Sequence, residues 1–568
     1  MIRDTSLRHG RRIRRIAETI GWDQRSAGPP FDRDLVGRRY RWSHPTNHAT
    51  SQISQPCSLR RFLLTSFAFL IGVVVITRPI VAQTTAVTTD KPSAASATDE
   101  AIDSWQVLHI GNKRAGYQRS LERVEIRDKR KVIVSVGELH FQINRFGKEL
   151  TLSTTLRTEE TESGELLKFA YEIKNPPATV TRSEGVISDK DLEITSVVAG
   201  KTDKRRIPWE SDAKSPAYPE RFMRGKPLKP GEAFSTKVFV PEFGKFTKVS
   251  YTADEIRPVK LLDSKEHSLL LVKVSFAAIP DMNMRQYVDS NGDVKLGETD
   301  MLGTVGRLYQ VTREIALQTI AGAELDLAIN TLVAIDPPIK DAHRKKKIVY
   351  RITSKEDSPE RSFVSGGTQQ VKRLSDTSIE LTVTSKPLPP VNARVVATDA
   401  KYVAATRFLQ SRDPAVVEHA DRAAAGETDP SRIAARMEKY VQEKIKKKNF
   451  STAMASASEV AQKMEGDCTE HAVLLAAMLR AKRVPARIAA GLVYVESLNS
   501  FGGHMWTEAF IGGEWIPLDA TLGRGGIGAA HLKMAESAMD EESPLPITTF
   551  MPLYNALGKL KIEVLKAE

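Results

Sequence analysis

The sequence has almost no cysteine. Two occur in 568 residues, Cys57 and Cys468. A scaffold stapled by disulfides is therefore excluded. So is a thiolate zinc site, which needs several cysteines or histidines at short regular spacings. Lysine is absent before Lys91, while residues 1–60 carry twelve arginines against five acidic residues. Thus +7 of the formal net charge of +13 sits in the first tenth of the chain. The remainder is too mildly basic to argue for nucleic acid as a partner, and no nucleic-acid-binding module is present. Long apolar runs are missing too, with one exception. Phe62–Ile76 carries no charge, follows Arg60-Arg61 and leads through Arg78 and Pro79 to Ile80-Val81-Ala82.

That exception reads as a secretory signal: a basic flank, an apolar stretch and a small residue at its end. It is short for a membrane span, which wants about twenty apolar residues. An uncleaved anchor through residues 62–82 is the alternative. Both readings export the rest of the chain to the periplasm or cell envelope, and cleavage would leave Cys468 as the lone thiol. The expected organisation begins with a basic, disordered arm at 1–59. A signal peptide or anchor occupies 60–82, and a linker rich in Thr, Ser and Ala occupies 83–100.

Residues 101–390 read as mostly β. Lys131–Asn144, Ser268–Pro280, Lys347–Ser354 and Ile379–Ser385 alternate or run β-branched between turn residues. One or two antiparallel, sandwich-like units are expected, with an envelope partner as their candidate ligand. Val180–Pro241 reads as loop-rich. Asp289–Asp293 has the alternating acids of a calcium loop, but Val294 stands where the loop's glycine belongs. A hairpin turn at Asn291-Gly292 is the better reading.

Pro387–Pro390 is the expected boundary. Beyond it, residues 400–535 read as an α+β core, helices first and then an antiparallel sheet, and 536–568 as a weakly helical tail. Asp429 caps and Pro430 opens a helix whose apolar face carries Ile433, Met437, Tyr440, Val441 and Ile445. Ser456 and Glu459 form a capping box. Asp467 and Glu470 form another, at the head of a helix with Leu474, Leu475, Met478 and Leu479 at helical spacing. Cys468 then lies in the first turn, where unpaired N–H groups and the positive end of the helix dipole favour a thiolate. Further on come a strand Arg487–Val495, a loop Glu496–Gly503 and a hairpin turning at Gly512-Gly513. With those glycines as the turn, Ile511 faces Glu514 and Trp506 faces Asp519. His504 and Asp519 then share one face as diagonal neighbours, within carboxylate-to-imidazole reach. A lone cysteine, strand histidine or terminal aspartate is more often structural than functional. Together they make a nucleophile, a base and an orienting carboxylate. Glu508 shares the His504 face but lies roughly 13 Å along the strand. His471 is one turn from Cys468 and reads as a packing or cleft residue. Trp506 reads equally as core or as a wall of the cleft.

Cys468 in GDCTEHA, His504 in GHMWTEAF and Asp519 in WIPLDAT resemble the core of the transglutaminase-like superfamily in its bacterial form, over about Tyr402–Gly523. The resemblance implies a papain-like fold without cofactor or metal. Cys468 would attack an amide carbonyl of a peptide or glutamine side chain, His504 would move the proton, and Asp519 would hold the imidazole. Gln462 has the spacing of the glutamine that papain-like enzymes place in the oxyanion hole, although a solvent-facing helix position suits it as well. The upstream tryptophan of the animal transglutaminases has no counterpart, so hydrolysis is implied over crosslinking. The reading of another class is a catalytically idle envelope scaffold on the same fold.

Overall fold

The computed structural model describes residues 101–568, except 146–147, 177, 179, 243, 302–303, 319–330, 356–357, 392–395, 450–453, 525, 541–551 and 554–555. The arm, signal and linker expected over 1–100 lie outside the described residues. No helix among the described residues is long and apolar enough to cross a membrane.

The chain is multidomain, with a large β region ahead of an α+β core. The β region is one sheet of fifteen strands. Its central neighbours are the first and last strands, Ile102–Ile110 and Thr304–Val311. From the first, the chain winds outward strand by strand to an edge at Lys201–Pro208. It restarts at the opposite edge, Ala213–Lys214, and winds back to the centre. Pairing is antiparallel, apart from Ala213–Lys214 against Ala233–Val240. Alternation fixes the buried face: in Asp191–Val198, Leu192, Ile194, Ser196 and Val198 point inward. The two wings curl until their inner faces meet. Phe169 of one packs on Phe239 of the other with ring centroids 5.6 Å apart. The sandwich-like expectation is thus met by a single coiled sheet. Val180–Pro241, expected to be loop-rich, contributes five of its strands and the helix Tyr218–Gly225. Its weak alternation of charged and small residues hides strands that lie at the sheet's edges. The turn at Asn291-Gly292 is present, with Gly292 at φ +81°. Asp289 accepts the N–H groups of Asn291 and Asp293 and pairs with Lys295 at 3.0 Å. Its carboxylate is spent on the turn.

Two expectations for the later chain need correcting. Strands Lys347–Ser354, Ser378–Thr384 and Gln369–Ser375 form a small sheet with Leu560–Ala567, so the tail ends in a strand, not a helix. The sheets do not divide at Pro387–Pro390 either. Val333–Ala334 already pairs with the core sheet, and Tyr350 donates its hydroxyl to the Ala529 carbonyl at 2.9 Å.

Among the described residues the core has four helices, α1 (Pro414–Ala424), α2 (Pro430–Lys444), α3 (Ala457–Lys463) and α4 (Cys468–Ala481). Its strands are β1 (Ala486–Val495), β2 (Ser500–Ile511), β3 (Glu514–Leu518) and β4 (His531–Ser537). Strand β2 begins inside the expected loop. Strand β4 runs across the expected boundary between core and tail, beyond the last strand read from the sequence. Helix α4 is buried from Cys468 to Arg480, and its stretch Ala472–Leu479 is apolar on every side. Thr507 on β2 donates to the Ala472 carbonyl at 2.9 Å, tying helix to sheet. At the far end, buried Arg480 donates to the carbonyls of Ala404, Ala486 and Ala538. Asp413 joins core to β region: it caps α1, accepts the Ser458 hydroxyl at 2.8 Å and pairs with Lys201 of the sheet edge.

Candidate active site

Cys468 opens α4 from a tight turn. Gly466 has φ +148°, and a Cβ there would lie 2.3 Å from Glu470 Cβ. The capping box closes as expected. Thr469 N–H donates to Asp467 Oδ1 and Asp467 N–H to Glu470 Oε2, both at 2.9 Å. Glu470 also accepts the Ala455 N–H at 3.0 Å, so its carboxylate is fully engaged. Cys468 is 4% exposed, at the positive end of a buried helix.

The hairpin register is the one expected, from Ile511 opposite Glu514 to Thr507 opposite Leu518. Strand β3 ends there, and Asp519 begins a turn. His504 Nε2 donates to Asp519 Oδ2 at 2.8 Å, both side chains 1% exposed. His504 Nδ1 is buried and has no oxygen or nitrogen partner. Cys468 acts on this ring through both charge and hydrogen bonding. Burial alone would lower the His504 pKa. The Asp519 carboxylate and Cys468 outweigh it and push it up to about 10. Burial works to raise Asp519, but His504 and His531 hold it well below the usual carboxylate range. A buried imidazole so charged, beside a thiol and on a carboxylate, can give and retrieve a proton at the sulfur.

Two residues supporting Asp519 escaped the sequence reading. Glu438 of α2 accepts the Asp519 N–H at 2.9 Å. Its one signal was an acid placed on the apolar stripe of a helix. His531 of β4 donates Nε2–H to Asp519 Oδ2 at 3.1 Å. Its signal was the alternation in His531–Ser537, beyond the last recognised motif.

The other candidates take different places. His471 is buried; it donates Nδ1–H to the Asp467 carbonyl and accepts from Lys448 Nζ at 3.2 Å. Burial, then Lys448, lower its pKa to about 3, so it is a neutral packing group of the helix turn. Trp506 is stacked beside His504 at 6.3 Å and meets His531 edge-on at 5.4 Å, walling both rings. Gln462 lies on the exposed face of α3. Glu508 is remote from His504 and sits in a buried charge network with Arg487 (2.8 Å), Lys533 (3.1 Å) and, through them, Glu536. Glu508→Gln leaves two buried cations short of one charge. It should destabilise the fold by about 3 kcal/mol in denaturant unfolding, while the folded fraction keeps its turnover.

His504, Asp519 and His531 are the described residues that could bring three metal-ligand atoms together, within 4.8 Å of one another. Both imidazole nitrogens, however, carry the protons they donate to one carboxylate oxygen. The cluster reads as a hydrogen-bonded unit, and a cation there would take His504 out of proton transfer.

The family model of the transglutaminase-like superfamily matches residues 418–520, a span that includes all three of Cys468, His504 and Asp519. No curated protein matches the sequence. Solved structures similar to the chain include a candidate cysteine protease from Cytophaga hutchinsonii, 17% identical, with 39% of this chain and 89% of that one covered and a TM-score of 0.26. The β-barrel-like protein of domain of unknown function DUF1849 from Brucella abortus is 10% identical, covering 37% and 95%, with a TM-score of 0.28. The periplasmic domain of TgpA from Pseudomonas aeruginosa is 14% identical, covering 32% and 91%, with a TM-score of 0.19. Scores this low carry no functional argument. The family match, over the span that holds Cys468, His504 and Asp519, makes residues 418–520 a transglutaminase-like domain.

Proposed function

We propose that the protein is an exported cysteine hydrolase that cleaves amide bonds in a peptide or a glutamine side chain. The observation that carries this reading is the buried line from Cys468 through His504 to Asp519. Cys468 Sγ adds to the amide carbonyl carbon. His504 gives the proton at Nδ1 to the leaving amine nitrogen as the C–N bond breaks, and a thioester remains. Water then adds to the thioester, its proton returns to His504, and the carboxylic acid leaves as the thiolate re-forms. Asp519 holds Nε2–H throughout and so selects the nitrogen that faces the sulfur. Export rests on Arg60–Ala82 of the sequence.

A thiol-directed amide-mimic probe tests both parts. Applied to intact cells and then to cell fractions, it should label Cys468 in wild type at neutral pH and give no adduct in His504→Ala. The labelled protein should be found outside the cytoplasmic membrane. Equal labelling of the two proteins would remove the assignment of His504 as base. A full-length cytoplasmic product would remove export.

A further inference from the structure

We infer that His531 is a positioning residue of this site, holding the Asp519 carboxylate in place through the same oxygen that receives His504. The inference rests on the reading of Cys468, His504 and Asp519 given above. A carboxylate only accepts hydrogen bonds. With Nε2 of His504 at 2.8 Å and Nε2 of His531 at 3.1 Å from Asp519 Oδ2, both nitrogens must carry hydrogen. His531 is therefore the Nε2–H tautomer, and its Nδ1 is buried without a partner. Oδ1 accepts the Thr521 N–H at 2.9 Å, and the Asp519 N–H is taken by Glu438. Both oxygens and the backbone are thus engaged, and the carboxyl plane cannot turn away from His504.

The fold makes room for the second imidazole. Gly491 of β1 pairs with His504 on one side and Lys533 of β4 on the other. A Cβ at Gly491 would lie 1.9 Å from the Leu532 carbonyl oxygen. With no side chain in between, the rings of His504 and His531 come within 5.8 Å, on either side of one carboxylate. Trp506 meets the His531 ring edge-on at 5.4 Å, and His343 does so at 5.7 Å. His343 is itself pinned by the Tyr494 carbonyl at 2.9 Å. Such packing fixes a ring whose own polar contact is a single bond.

A neutral donor on Asp519 steadies its charge without adding another. A protonated His531 would be a second cation facing His504, and the two would compete for one carboxylate. The charged or titratable groups around His531 are Asp519, His504, His343 and Arg524. Burial, ahead of these neighbours, holds His531 below the ordinary imidazole value. Protonating it on acidification should therefore weaken the His504–Asp519 pair and set the acid limb of thiol reactivity.

Iodoacetamide alkylation of Cys468 against pH reads this without a known substrate. Three full-length proteins are compared: wild type, His531→Phe and His531→Gln. His531→Phe should lower the plateau rate on the order of tenfold, because Asp519 loses a donor. His531→Gln, which restores a neutral donor, should regain at least about threefold over His531→Phe. Both variants should move the acid limb to lower pH. A plateau unchanged in His531→Phe, or two equally slow variants with the wild-type acid limb, would overturn the role. Should His531→Phe not fold, the limb of His531→Gln decides alone: moved supports the role, unmoved overturns it. His504→Ala separates the two readings. If it leaves wild-type alkylation unchanged, the pairing of Cys468 with His504 has failed, whatever His531 does.

Discussion

Cys468→Ala is expected to lower the hydrolysis of fluorogenic peptide amides by about 10⁴–10⁶-fold, to the level that binding alone sustains. The reason lies in how the site divides its labour. Among Cys468, His504 and Asp519, only the sulfur can form the bond to the carbonyl carbon. The fold around it should hardly change, since alanine suits the first turn of α4 and the cap at Asp467 is untouched. Loss of activity with an unchanged unfolding midpoint is the expected pair of results. Cys468→Ser should be nearly as inactive: a hydroxyl is a far weaker acid than a thiol and is a poor nucleophile until a base removes its proton. A Cys468→Ala protein keeping a tenth of its turnover would mean that another residue attacks, and the mechanism would fall with it.

Asp519→Asn should lower turnover on the order of 10–10³-fold with little change in KM. Asparagine fills the same volume and can accept one hydrogen bond from His504, so the hairpin and α2 remain. What it removes is the charge that keeps His504 protonated. The effect on stability has a defined pH window. His504 is raised from 6.5 to about 10 on folding, so its contribution is complete below about 6.5 and is lost as pH rises through about 10. Asp519 is depressed, so its contribution is present above its ordinary 3.8 and lost as pH falls through its lower folded value. The stability difference between wild type and Asp519→Asn should be greatest between about pH 4 and 6.5 and shrink toward pH 10. A difference that grows with alkalinity would mean the pair is not ionic.

The features legible in the sequence were those set by near neighbours. The box of Asp467 and Glu470, the helix opened by Pro430, and the turn at Gly512-Gly513 each depend on a few residues in a row. Counting outward from that turn brought His504 to Asp519 because side-chain direction in a hairpin follows parity alone. His531 and Glu438 meet Asp519 from other elements, 12 and 81 residues away, and no local pattern encodes that meeting. The tail misled for a related reason. Leu560–Ala567 is rich in Leu, Lys and Glu, which favour helix. It becomes a strand because Lys347–Ser354, some two hundred residues earlier, offers it an edge. Tertiary pairing overrode propensity there.

An open sheet of fifteen strands has two rims whose unpaired backbone groups could recruit further chains. Each rim here is blunted differently. Lys201–Pro208 carries Lys201, Lys204, Arg205 and Arg206 against one acid, and ends in a proline with no N–H to offer. A second copy laid along it would set like charges face to face. Ala213–Lys214 is only two residues long and offers too short a template to hold a visitor. A β region this large is thereby guarded against growing into fibrils, at both of the places where growth could begin.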